Sequence, residues 1–183
     1  DNRDKNTALF RIFIVVPAAI FISSFSEFSD DFMGVIGGFL VLPVVLSLLV
    51  RNVYPSYVLA FNKSLLELSN RINAYALVLT DDYPSIEANP KVRLIYPDVD
   101  GGKKLSPWMP LVKWFLAIPL FILGIIYVIY ALALTIIAWI SVVKNGIYPV
   151  DKAEEVVKVI AYWNRLFGYG LLLVTDEYPS FSL

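Results

Sequence analysis

RLFGYGLLLVTDEYPSFSL, residues 165–183, has an earlier counterpart in the same chain, RINAYALVLTDDYPSI at residues 71–86. Each copy opens on an Arg preceded by Asn (Asn70-Arg71 and Asn164-Arg165). A Tyr follows four residues on, then an apolar run, then Thr-Asp-acid-Tyr-Pro-Ser. Upstream, Tyr54-Pro55 matches Tyr148-Pro149, and the step from Pro to Arg is 16 residues in both copies. Proline suits the start of a helix. Val58, Phe61, Leu65, Leu68, Ile72, Tyr75 and Leu79 then recur at spacings of three and four, as do Val156, Ile160, Trp163, Phe167 and Leu171. That period predicts amphipathic helices over 56–80 and 150–174, with Asn62, Lys63, Glu67, Asn70 and Arg71 largely off the apolar stripe.

Further upstream the doubling continues. IFIVVPAAI at 12–20 returns as FLAIPLFIL at 115–123, with Pro17 matching Pro119. A segment repeated deep in the chain is architecture, so the apolar run 8–25 reads as a membrane span and not as a secretory signal. A second uncharged run, 32–50, reads as another span. Its Gly34, Gly37 and Gly38 include a G-x-x-x-G spacing that suits close helix packing, on a helix of the same chain or on a partner. Residues 110–143 are apolar apart from Lys113. One straight helix of that length runs about 51 Å, long for a hydrocarbon core of about 30 Å. By analogy with the first half, the expectation is a hairpin reversing near Gly124–Tyr127, with a single kinked helix as the other reading. The chain thus divides into repeat 1 (8–86), a Pro- and Gly-rich linker (87–109) in which Val92, Leu94 and Tyr96 alternate as in a short ribbon, and repeat 2 (110–183). The fold class expected is all-α integral membrane, two tandem repeats of a transmembrane hairpin and a surface helix.

Composition agrees. Of 183 residues 58% are apolar and only 17% charged, and mean hydropathy is +0.67. A soluble domain carries nearer a quarter charged residues. A net charge of −1 gives no basic surface for nucleic acid. The absence of Cys and His removes disulfides, thiolate nucleophiles, His-ligated haem, the usual zinc sites and Ser-His-Asp triads. With four spans, all 15 Lys and Arg fall at one side, while the 26–31 loop carries Glu27, Asp30 and Asp31. The positive-inside rule then places both termini in the cytoplasm, in a multi-pass protein of the inner membrane.

The repeated Arg71/Asp81 and Arg165/Asp176 motifs are the candidate sites. Each Arg either binds a lipid phosphate or makes a structural bond to an acid or a backbone carbonyl. Thr80 and Thr175 suit turns or caps. No ionisable residue sits at mid-span, which argues against a transport pathway. The expectation is a non-enzymatic scaffold or accessory subunit with no cofactor. Its partners are the lipid bilayer and other membrane subunits. A lipid-binding or membrane-organising module comes second and a small transporter third.

The doubled Pro-x(15)-Arg, the Tyr at plus four and LLLxTDxYPxFSL, together with Lys113-Trp114-x-Leu116-Ala117-Ile118-Pro119 and Ile137-Ala138-Trp139, resemble a prokaryotic integral-membrane family, domain of unknown function four-three-eight-nine. The second copy is the nearer. The first departs after Ser85, where Ile86-Glu87 replaces Phe-Ser, and Ser180 stands where members usually carry Pro. The resemblance implies two membrane repeats and supplies no catalytic residue.

Overall fold

The computed structural model describes residues 3–25, 35–36, 38–87 and 91–183. Among them the chain is all-α apart from one short antiparallel ribbon. In order it forms α1 (Lys5–Ile14), α2 (Val16–Ser23), β1 (Val35–Ile36), β2 (Phe39–Leu40), α3 (Val41–Arg51), α4 (Ser56–Ala76), a 3-10 turn (Asp100–Gly102), α5 (Met109–Asn145) and α6 (Val150–Gly170). Asp4 caps α1 by accepting from the Asn6 amide. The helices α1 and α2 follow one another with Pro17 in the first turn of α2, where its missing N–H costs nothing. Asn52 and Gly146, both left-handed, close α3 and α5. Tyr-Pro follows each and starts α4 and α6.

Three expectations change. The apolar run 32–50 is not one helix. Val35 pairs with Leu40 and Ile36 with Phe39, Gly38 sits at φ 90° between the strands, and helix begins only at Val41. Gly38 is therefore a turn residue. A Cβ there would come within 3.0 Å of Leu65 and Phe25. Gly34 and Gly37 lie outside the described residues. Second, residues 110–143 do not form a hairpin but lie within the single 37-residue helix α5. Gly124 makes no turn. It is a notch for the Trp163 indole, whose Cζ2 would lie 2.9 Å from an added Cβ. The packing of α6 along α5 replaces the reversal. Third, Val92–Tyr96 forms no strand. Instead the segment straps α4 to α6: Leu94 N–H donates to Glu67 at 2.9 Å and the Tyr96 hydroxyl to the Asn164 carbonyl at 3.1 Å. Gly168 lets the Tyr96 ring approach, since a Cβ would meet it at 2.7 Å. Burial, then the nearby Glu67, raises the Tyr96 phenol pKa.

The surface helices also stop early, at Ala76 and Gly170 rather than 80 and 174. Val78 and Leu173 take positive φ, 64° and 58°, a costly conformation for side chains of this shape. Both are buried, so packing offsets the strain, and the chain turns sharply after each helix.

The same contacts are made in both halves. Ser47 donates to the Val53 carbonyl and Ser141 to the Ile147 carbonyl, at 2.7 and 2.9 Å. Asn70 donates to Asn164, its counterpart, at 2.9 Å. The Tyr of each Tyr-Pro reaches into the other half: Tyr54 donates to the Leu172 carbonyl and Tyr148 to the Leu77 carbonyl. The first bond is buried and close; the second spans 3.4 Å and is part-buried. Tyr54→Phe should therefore cost about 2 kcal/mol and Tyr148→Phe under about 1 kcal/mol, because only the first strands a fully buried carbonyl. Urea unfolding measures both, and equal losses would contradict the asymmetry.

Candidate functional site

Asp81 and Asp176 are where the charged motifs lead, and the partner of each is a cation on an apolar helix. Arg11, on α1, reaches Asp81 and also donates to the carbonyls of Tyr75 at 2.8 Å and Thr80 at 2.6 Å. Its guanidinium lies 4.5 Å from the centre of the Tyr75 ring. Lys113, near the start of α5, pairs with Asp176 at 2.8 Å and donates to the Thr175 carbonyl at 2.7 Å. Its ammonium lies 5.2 Å from the Tyr169 ring. The two acids also accept matching backbone amides, from Asp4 at 3.2 Å and Ser106 at 2.7 Å. Thr80 and Thr175 each accept the amide two residues on, from Asp82 and Glu177, both at 3.1 Å. Each half thus carries one clamp of cation, Thr-Asp and Tyr. The cations are almost wholly buried, Arg11 to 2% exposure and Lys113 to 1%, and burial of that degree demands a partner.

Arg71 and Arg165 do not pair with Asp81 and Asp176. The Arg71 Nε donates to the Ser85 carbonyl at 2.8 Å and an Arg165 Nη to the Ser182 carbonyl at 2.6 Å. Each Arg therefore holds the tail after its Tyr-Pro. Burial lowers the Arg71 pKa, partly offset by the charge of Glu67. Asn62, Asn70 and Arg71, expected largely off the apolar stripe, are buried. Asn62 accepts the Leu40 amide at 2.9 Å and donates to its carbonyl at 3.3 Å, which seals the ribbon against α4. The parts missed by sequence reasoning are Arg11 and Lys113. A signal was there: each stands six residues before its matched proline, Pro17 or Pro119.

The clamps are far apart. Ala8 accepts from Trp139 Nε1 at 2.9 Å and Lys5 reaches the Lys144 carbonyl at 2.9 Å, so the start of α1 meets the end of α5. Trp114 Nε1 donates to the Gly170 carbonyl at 2.9 Å, so the start of α5 meets the end of α6. From Trp114 to Trp139 is about 37 Å along a helix axis. The two clamps therefore sit at opposite ends of α5.

Two cavities flank Asn70 and Asn164. One, of about 480 Å³, is lined by Arg71, Lys91, Arg93 and Asp82 among others. The other, of about 320 Å³, is walled mainly by apolar side chains of α4, α5 and α6. Among the described residues no group of three or more acids, His or Cys is placed to hold a metal ion. No family model, no curated protein and no solved structure matches the chain.

Among the described residues two helical stretches, Lys5–Ser23 and Met109–Asn145, are long and apolar enough to cross a membrane. The third apolar helix, Val41–Arg51, has 11 residues and reaches only about 16 Å.

Proposed function

We propose that the protein is a non-catalytic integral-membrane scaffold or accessory subunit of the cytoplasmic membrane, built from two related units that are inverted relative to one another, and a member of the family it resembles. The observation that carries this reading is the outward face of α1 and α5. Ile12, Phe13 and Phe115 are each more than 70% exposed, and Ile129 and Ile136 at least 60%. A surface so apolar over so many turns calls for lipid or another subunit. The charged motifs, by contrast, are engaged within the chain. Trp114 and Trp139 stand about 37 Å apart along α5, which suits aromatic anchors at the two interfaces of a bilayer. We place the end where Arg3, Lys5 and Lys144 gather in the cytoplasm. The C-terminal residues fold back, with Leu183 packed against the two apolar clusters that α5 and α6 form around Leu120 and Leu134.

One observation favours a second placement. Tyr130, near the middle of α5, contacts Glu155 at 3.5 Å, and Glu155 pairs with the half-exposed Lys158. In a spanning bundle that pair faces hydrocarbon unless a partner subunit covers it; in a bundle lying in the interface plane it faces water. Because the chain has no Cys, single-cysteine reporters separate the two. Lys104→Cys and Asn145→Cys flank α5. Labelling from opposite sides of sealed vesicles is expected, and labelling of both from one side would replace the spanning reading by the in-plane one. Purification from native membranes in mild detergent is expected to retain partner subunits at fixed stoichiometry, and a lone chain in every preparation would remove the scaffold reading.

A further inference from the structure

We infer that the two cavities beside Asn70 and Asn164 form one site for an anionic phospholipid, with the phosphate at Arg71 and one acyl chain in the apolar groove. Arg71 is 5% exposed and lines the larger cavity. Its Nε is taken by the Ser85 carbonyl, while its Nη1 is buried with no hydrogen-bond partner. A buried guanidinium nitrogen left open is expensive unless a ligand completes it. Lys91 and Arg93 line the same cavity; among its described lining residues the acid is Asp82, and Glu67 stands near Arg71 outside the lining. Asp82 pairs with Lys91, so the lining keeps a positive excess. Guanidinium offers phosphate a planar fork.

The second cavity supplies the other half of an amphiphile. It shares Asn70, Ile160 and Asn164 with the first. The Asn70–Asn164 bond therefore lies where the polar lining gives way to apolar walls. Leu132, Val156, Trp163 and Phe167 make up part of those walls. Both volumes fall within the ordinary range of small-molecule sites. A free phosphate uses only the first cavity; a lipid without phosphate leaves Arg71 uncompleted, and a zwitterionic one brings its choline cation to a lining that is already positive. An anionic lipid meets both. The matching Arg165 lines neither cavity, so the site belongs to the first half alone.

The inference rests on the membrane association proposed above for its supply of lipid and takes the in-plane placement. Trp163, beside Asn164, packs on Gly124 and sets the site level with the middle of α5, where a spanning bundle would hold the phosphate in hydrocarbon. Its test is separate from partner retention. The full chain in a neutral detergent is titrated with phosphatidylglycerol, phosphatidylcholine and inorganic phosphate, with bound lipid counted by native mass spectrometry. One phosphatidylglycerol is expected to bind at least tenfold more tightly than phosphatidylcholine, and millimolar phosphate is not expected to displace it. Arg71→Gln should weaken binding about tenfold, and Ile160→Trp, which fills the shared wall, should abolish it. Arg165→Gln should leave it unchanged, and helical circular dichroism checks that each variant folds. Equal losses from Arg71→Gln and Arg165→Gln, or lipid binding indifferent to charge, would overturn the site. Tight binding of inorganic phosphate through Arg71, without preference for the lipid, would overturn the acyl-chain half. Partner retention that survives Arg71→Gln leaves the scaffold reading standing whichever way the lipid result falls.

Discussion

Arg11→Met is expected to destabilise the folded chain by about 3 kcal/mol, and Lys113→Met by a comparable amount. Each cation is buried and has several acceptors aimed at it. Losing Arg11 strands the Tyr75 and Thr80 carbonyls and the Asp81 carboxylate together. Losing Lys113 strands the Thr175 carbonyl and Asp176. The loss falls at the low end for a broken buried pair because the acids keep some water, 31% exposure at Asp81 and 26% at Asp176. Arg11→Lys should recover only part of the loss, since one ammonium cannot hold two carbonyls and a carboxylate as a fork does. Lys113→Arg should be the harder exchange to accommodate, because a buried site that offers one carbonyl and one carboxylate leaves donors of the guanidinium without acceptors. Removing the acid with the cation, in Arg11→Met with Asp81→Asn, should cost less than the two single changes added together. Thermal or urea unfolding in detergent reads all of these. An Arg11→Met loss below about 1 kcal/mol would show that the clamp contributes little.

The clamps also show where sequence reading reached its limit. The doubled Thr-Asp-x-Tyr-Pro was visible, and so was the helical class, because apolar residues recur at spacings of three and four and proline marks each start. Helix begins at Ser56 and Val150, directly after those prolines. What could not be read was long-range pairing. Asp81 lies near Arg71 in sequence, but Arg71 turns to a carbonyl and Asp81 takes Arg11, 70 residues away. Apolarity alone also misled. The run 32–50 satisfies a hydropathy window, yet Gly38 at φ 90° makes a ribbon turn of its centre. Gly124, read as a reversal, relieves contact with Trp163 instead. In both cases the deciding neighbour comes from another element, and no local window contains it. The helix ends at Ala76 and Gly170 were hidden for a related reason: Val78 and Leu173 bear the positive φ that glycine or asparagine would have announced.

Gly102→Ala is expected to cost about 3 kcal/mol, and its neighbour supplies the control. Gly101 and Gly102 both have positive φ, 62° and 104°. An added Cβ at Gly101 meets nothing within 4 Å, so Gly101→Ala carries only the backbone penalty of the left-handed region, about 1 kcal/mol. At Gly102 the same Cβ would lie 2.8 Å from the Tyr54 nitrogen and 3.0 Å from the Asn52 carbonyl oxygen. Those are backbone atoms and no rotamer change relieves them. The linker must move away, and with it the 2.8 Å bond from the Tyr54 amide to the Gly101 carbonyl. Tyr54 is the residue whose hydroxyl crosses to Leu172 in the other half. The change should therefore loosen the contact between halves as well as the linker. Hydrogen exchange should report faster opening of the Leu172–Val174 segment in Gly102→Ala and not in Gly101→Ala. Equal stability losses from the two substitutions would mean that dihedral strain alone accounts for both. The linker would then not be braced against Tyr54.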